Sequence, residues 1–261
     1  MRTVAKALTI LDLVTEHSSE WGLSEIARVT GIDRATCYRM LSVLLRHGYV
    51  SKAPDSKKYS LGATVLRLAR TREASTPVSA TLHKVLETLT RKTTETSHAS
   101  LIAGFQIATV ASCDGPRNNR VHVEPGARME LHATASGLAC AAYADAAFVA
   151  HLLDGDLPAF TPTTVTDAKR LKTILEQVRA QGFSVADRSF DADVVGIAAP
   201  VFGKDCLALG SIAVATPASR MSEQVKSASV LAVMEAAVEA TRNLGGVLPE
   251  GYLAHFGKLA A

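Results

Sequence analysis

The sequence has no stretch of about 18 consecutive apolar residues, the length a helix needs to cross a bilayer, so nothing in it reads as a membrane span. Its opening residues, Met1-Arg2-Thr3-Val4-Ala5-Lys6, lack the long apolar segment and cleavage site of a secretory leader. Cysteine is sparse. Cys37, Cys113, Cys140 and Cys206 lie far apart and form no C-x-x-C pair. That spacing argues against a zinc site or a disulfide framework, and a cytoplasmic location is expected. There is no internal repeat, no low-complexity segment and no Gly-x-Ser-x-Gly elbow of a hydrolase.

The chain does have 261 residues, 48% of them hydrophobic and 20% charged, enough for one large domain or two ordinary ones with real cores. The formal charge of +3 is unevenly spread. Residues 1–75 hold 12 Lys/Arg against 7 Asp/Glu, and residues 76–261 hold 16 against 18. A basic small module joined to a slightly acidic large one suits a DNA-binding head on a domain with another task.

The segment from Leu23 to Gly62 defines the head. Val4, Ala7, Leu8, Leu11 and Val14 make one apolar helical stripe before it, and Trp21-Gly22 breaks that helix. Ser24 reads as an N-cap for a helix that stops at Gly31, and Asp33 reads as the N-cap of the next, which runs to His47. In that helix Cys37, Leu41, Leu44 and Leu45 share a core face, and Arg34, Ala35, Tyr38, Arg39 and Ser42 share the opposite one.

The opposite face suits a major groove. Arginine can donate two hydrogen bonds to guanine, and an alanine methyl can touch thymine. The hydroxyls of Thr36 and Tyr38 suit phosphates. Residues 50–61 then form a hairpin with Pro54-Asp55-Ser56 as its turn, placing Lys52, Lys57 and Lys58 on a wing beside the duplex. The reading is a winged helix-turn-helix over residues 1–62, mainly α with a β-wing. Ser24, Arg34, Ala35, Thr36, Tyr38, Arg39, Ser42, Lys52, Lys57, Lys58 and Tyr59 are its candidate DNA contacts.

Residues 63–75 read as a linker helix whose Val65, Leu66, Leu68 and Ala69 can pack on a partner linker or on the same chain. Residues 76–261 alternate strands and helices and read as an α+β domain. A helix through Leu82, Val85, Leu86 and Leu89 opens it, and 97–111 reads as a hairpin turning near Gly104. Arg120 to Glu124 alternates as a strand, and Ala135 to Tyr143 reads as a helix. Lys169 to Gln181 is a helix stopped by Gly182. Residues 183–186, 194–202 and 208–215 are strand candidates, and 225–244 is a last amphipathic helix.

No residue pattern points to catalysis, and no cofactor or metal is implied. His98 and His122 lack metal-ligand spacing, Cys140 reads as core, and His132 reads as a buried histidine packing a loop. An acid–base pair converging on a pocket would reopen the question.

The ordered pieces Lys6-Ala7-Leu8-Thr9-Ile10-Leu11, Leu23-Ser24-Glu25-Ile26-Ala27, Thr36-Cys37-Tyr38-Arg39-Met40-Leu41, Gly48-Tyr49-Val50 and Tyr59-Ser60-Leu61-Gly62 resemble the IclR family of bacterial transcriptional regulators. So do Leu131-His132-Ala133-Thr134-Ala135-Ser136-Gly137, Gly182-Phe183-Ser184-Val185 and Ile197-Ala198-Ala199-Pro200-Val201-Phe202 in the second half. The resemblance implies a GAF-like C-terminal domain that binds a small effector, and a homodimer or homotetramer acting on double-stranded operator DNA.

It also implies a pocket floored by Ala135, Ser136 and Gly137, where free N–H groups at a helix start suit an anion. Val121, Met129 and Val194 would be its walls. The chain departs from members that sense small polar acids at Gly196, where they carry a cysteine, and at Ala213 and Ala215, where they carry serines. Ala186 replaces a common acid, with Asp187 beside it. These changes predict a roomier, more apolar pocket for an aromatic or hydrophobic acid, and a repressor as the default. An activator sensing a small aliphatic carboxylate and an effector-independent architectural oligomer remain alternatives.

Overall fold

The computed structural model describes residues 2–15, 20–75, 78–126 and 128–259. The chain divides after residue 77 into two compact units.

In the first unit, α1 (Arg2–Val14), α2 (Leu23–Thr30) and α3 (Arg34–Arg46) precede an antiparallel hairpin of β1 (Val50–Lys52) and β2 (Tyr59–Leu61). Helix α4 (Ala63–Ser75) follows. Ile10, Leu13, Val14, Ile26, Ile32, Cys37, Leu41, Val50 and Tyr59 form the core. The buried face of α1 keeps Val14 of the expected stripe, with Leu11 packed against the core, and is rotated away from its first half. Val4 and Leu8 stay 66% and 54% exposed, and Ile10 and Leu13 take the inward positions.

The N-cap of α2 is Gly22, and Ser24 lies within the helix, exposed. Gly22 N–H donates to Glu25 Oε2 at 3.4 Å, so a carboxylate satisfies an end group that the Ser24 hydroxyl was expected to cover. Gly31 closes the helix in the left-handed region at φ 66° and makes the turn into α3. Asp33 caps α3 as expected, its carboxylate accepting Thr36 N–H at 2.9 Å. Leu45, expected in the core, is 41% exposed.

The second unit opens with α5 (Val78–Thr93), β3 (Thr96–Ala103), β4 (Gln106–Cys113) and the short β5 (Arg128–Met129). Then come α6 (Ala135–Ala142), α7 (Ala146–Asp154), α8 (Ala168–Gln181), β6 (Ser184–Asp187), β7 (Val194–Phe202), β8 (Ala208–Pro217), α9 (Glu223–Asn243) and α10 (Ala254–Leu259). The six strands form one antiparallel sheet in the order β5-β4-β3-β8-β7-β6. The expected strand over 120–124 is absent, and those residues are irregular.

Side chains alternate across the sheet, so each strand feeds two layers. Leu86, Ile197, Ile212, Val214 and Met234 belong to the layer under α5 and α9. On the other face α6 packs over β7 and β8, with α7 and α8 behind it through Leu138, Phe148, Leu171 and Leu175. Each fully buried Leu or Ile contributes about 1.5–3 kcal/mol, so both layers are needed to hold a sheet of this width.

One irregularity matters for this second face. The β3–β4 register runs Ala99 to Ala111 and then Ser100 to Thr109, leaving Val110 as an extra residue. Such a bulge breaks the alternation. Ala111 and Val110 pack in the α5–α9 layer, and Thr109 lies opposite Ser100 on the α6 side.

Candidate functional site

The nucleic-acid candidates divide cleanly. Arg34, Ala35, Tyr38, Arg39 and Ser42 are exposed along one side of α3, and Thr36 is half-buried beside them. Arg39 Nη2 donates to Thr36 Oγ1 at 3.0 Å, which holds the guanidinium along the helix. Lys52, Lys57 and Lys58 are exposed on the hairpin, where Lys57 takes a left-handed turn conformation at φ 55°.

Tyr59 is the exception. It is 3% exposed and its side chain belongs to the core of the head. Its backbone exchanges hydrogen bonds with Trp21 at 2.7 and 2.8 Å, and Lys52 Nζ sits 5.2 Å from its ring centre. Tyr59 thus anchors the wing to the helices, and the lysine stays on the surface above it.

The effector candidates gather at the start of α6. Thr134 is the N-cap, with Oγ1 accepting Gly137 N–H at 3.1 Å and donating to Glu130 O at 2.7 Å. Ala135 and Ser136 occupy the first turn and are buried at 4% and 1% exposure. Their N–H groups precede the intrahelical ladder, and the helix dipole adds partial positive charge there. Gly137 permits a close approach, because a Cβ on it would collide with the backbone of Leu131 and Glu130.

Ser136 Oγ meets His98 Nε2 at 3.1 Å. Burial pushes the His98 imidazole down to about 4, so it is neutral at pH 7. Its Nδ1 has no hydrogen-bond partner among the described residues. A serine beside a histidine is half of a nucleophile–base pair, but no carboxylate orients this imidazole and it binds protons too weakly for a base near neutrality. Among the described residues no group of three or more His, Cys, Asp or Glu is placed to hold a metal ion.

The other expected residues do not all converge. Ala213 and Ala215 are buried on the α6 side, and Ala135, Ala139, Ala186, Ala198 and Ala213 form one close-packed cluster. A Cβ on Gly196 would stand 3.2 Å from Ala135 Cβ. The small residues at 196, 213 and 186 therefore leave little extra room, because α6 settles onto them. Asp187 points to solvent beside Arg188, with its side chain 72% exposed. Val194 is half-buried at the start of β7. Val121 contributes a carbonyl, which accepts Thr96 Oγ1 at 2.6 Å, and its segment is a loop. Met129 lines a cavity of about 320 Å³ with Ile107, Leu131 and His132. His132 is itself buried and donates from Nε2 to Pro158 O at 2.9 Å.

Sequence reasoning missed two groups here. Glu95, with its side chain 2% exposed, accepts Arg117 Nη1 at 2.8 Å and Arg220 Nη2 at 2.7 Å, and Arg220 Nη1 donates to Asn119 O at 2.6 Å. This clamp ties the loop carrying Val121 to the end of β8. The second group is a row of buried hydroxyls. Ser100 Oγ and Thr109 Oγ1 have no partner among the described residues, Ser211 Oγ has only the Cys140 thiol, and each buried orphan costs about 1–3 kcal/mol. Ser and Thr at alternate strand positions were the available signal, but only the bulge brings Thr109 into line.

A winged helix-turn-helix with an exposed cationic helix, carried on a chain with a separate six-stranded α+β unit, defines a DNA-binding transcriptional regulator. Residues 3–54 match the IclR helix-turn-helix domain, and residues 73–242 match the bacterial transcriptional regulator IclR C-terminal domain. The chain belongs to the IclR family.

It is 27% identical over 224 residues to the HTH-type transcriptional regulator XynR of Escherichia coli K12, covering 85% of this chain and 89% of that one. It is 28% identical over 247 residues to the glycerol operon regulatory protein of Streptomyces griseus, covering 94% and 97%. The crystal structure of an IclR transcriptional regulator from Silicibacter sp. TM1040 superposes with a TM-score of 0.87 at 38% identity, covering 95% of this chain and 98% of that one.

Proposed function

We propose that the chain is an effector-responsive repressor that binds double-stranded operator DNA as a homodimer or homotetramer. The carrying observation is the row of exposed residues Arg34, Ala35, Tyr38, Arg39 and Ser42 on a helix whose other side is buried. A dimer would present two such helices to half-sites about one helical turn apart. The exposed apolar residues Val4, Leu8, Leu66 and Leu68 support a second copy as the partner of α1 and α4.

The effector reading rests on the first turn of α6 and on His98 Nδ1, buried without a partner among the described residues. A small organic acid would set its carboxylate against the free N–H groups of Ala135 and Ser136. The aromatic or hydrophobic acid expected from the sequence needs room over Gly196 and Ala213, and α6 occupies much of it. That same packing favours a second reading, an architectural oligomer with no effector, and the unpaired polar groups weigh against it. Binding can shift operator affinity only by the effector's differential affinity for the two states, typically about 1–3 kcal/mol.

The test selects a duplex from random DNA with the purified chain, then measures its retention with and without candidate effectors. In Ser136→Trp, duplex binding should survive and the effector response should vanish. A normal response in that variant would move the pocket away from α6, and failure of the wild-type chain to select any duplex would remove the repressor reading.

A further inference from the structure

Strands β4, β3 and β8 carry a contiguous set of polar side chains on the α6 side of the sheet. Ser100 lies opposite Thr109 on β4 and opposite Ser211 on β8, and His98 lies two residues along β3 from Ser100. All four are at least 96% buried. His98 Nδ1, Ser100 Oγ and Thr109 Oγ1 find no hydrogen-bond partner among the described residues, and Ser211 Oγ has only the weak contact of the Cys140 thiol. The thiol of Cys140 lies beside Ser211, and burial pushes it up to about 12, so it stays uncharged. Directly opposed residues on neighbouring strands stand roughly 5 Å apart, so the three hydroxyls form one short row across the strands, with His98 beside its middle member, two residues along β3.

Most buried polar groups in proteins are paired, and three neighbouring exceptions on one face need a common cause. The groups are neutral. Each hydroxyl can both donate and accept, and the imidazole offers one nitrogen. The buried residues that are described include no Lys or Arg, so the only anion-favouring feature at hand is the first turn of α6. The cavity beside Met129 reaches Ile107, two residues along β4 from Thr109 on the same face.

The geometry points to a polyhydroxylated effector, a polyol or a straight-chain polyhydroxy acid, whose hydroxyl groups pair with His98, Ser100, Thr109 and Ser211. This inference rests on the effector site proposed above and names its ligand class. A hydrocarbon ring laid on the same row would leave every one of these groups unpaired, and sites built to pair hydroxyls reject analogues lacking them by factors of about 10⁴ or more. The relative from Streptomyces griseus is named for a glycerol operon, and glycerol is a polyol.

The experiment uses the full chain and two sets of probes, glycerol and gluconate against benzoate and 4-hydroxybenzoate. Thermal shift and operator release are read in wild type, Ser100→Ala, Thr109→Val and Ser136→Trp. A hydroxylated probe should raise the wild-type Tm and release the operator, and its affinity should fall at least tenfold in Ser100→Ala and Thr109→Val. Without a probe both variants should match or exceed the wild-type Tm, because each removes a hydroxyl that lacks a partner. An unchanged probe affinity in both variants would mean that water fills the row, and the ligand class would fall. Release by benzoates alone would overturn the class and leave the site near α6 standing. A full response in Ser136→Trp would overturn the site itself. No shift with any probe would overturn the class, since a row built for hydroxyls would then bind none.

Discussion

His98 on β3 and Ser136 on α6 meet across the layer, with Nε2 and Oγ 3.1 Å apart, and this contact joins the sheet to the first turn of the helix that caps it. The imidazole stays neutral in the folded chain because burial holds its proton affinity down to about 4, against 6.5 for a free histidine. The unfolded chain therefore takes up the proton first as pH falls. Stability is highest above about pH 6.5 and declines toward pH 4, by roughly 3 kcal/mol if the shift is fully expressed. Urea unfolding at steps from pH 7 to 4 measures this, and His98→Gln should flatten the slope. An equally steep slope in that variant would assign the loss to other groups.

Arg34→Ala and Arg39→Ala should each weaken operator binding about ten- to a hundredfold, the range expected when a base contact is removed. Both residues are exposed, so the fold should be unaffected. Fluorescence anisotropy on a selected duplex gives the affinity, and sedimentation gives the oligomeric state. Lys57→Ala and Lys58→Ala should act differently, lowering the salt dependence more than the sequence preference.

Tyr59 separates anchoring from contact. Tyr59→Ala should cost about 3–5 kcal/mol in the stability of the head, by opening a cavity under the wing. Tyr59→Phe should keep both stability and operator affinity. Thermal unfolding and duplex binding of the two variants decide it, and a large affinity loss in Tyr59→Phe would return the hydroxyl to the DNA surface.

Glu95 is the buried member of a cluster whose two arginines reach solvent. Glu95→Gln keeps its shape and removes its charge. The expected cost is about 2 kcal/mol, below that of a fully buried pair because Arg117 and Arg220 remain partly solvated. Chemical unfolding gives the number. Proteolysis between Asp114 and Gly126 should quicken in the variant, since the clamp ties that segment down.

Much of this architecture was legible because local signals agreed with tertiary need. The apolar run of β7 between turn residues gave its bounds, Val194 to Phe202, and α8 was bracketed by its stop at Gly182. The misreadings have physical causes. The alternation at 120–124 imitates a strand, but its Val121 carbonyl is taken by the Thr96 hydroxyl and not by a neighbouring strand. In α1 spacing finds Leu11 and Val14, which do pack on the core, but it also points to Val4 and Leu8, where the helices and wing select Ile10 and Leu13. Helix α7 carries a cap, Asp145 accepting Phe148 N–H at 2.7 Å, but the alanines around it blur the apolar spacing that marks a helix. The size of the pocket is not legible from residue size alone, because small residues leave room only where nothing packs against them, and Ala135 of α6 lies close over Gly196.

The extra residue at Val110 gives this domain a way to change what it recognises without changing its chemistry. Were Val110 to pair with Ser100 instead of bulging out, the register would shift by one residue and Thr109 would turn to the opposite layer, among aliphatic side chains that cannot use it. The recognition row would shorten by one hydroxyl with every serine and threonine still in the sequence. Ligand preference within such a sheet is therefore written partly in strand register, and a column-by-column comparison of side chains would pass over it.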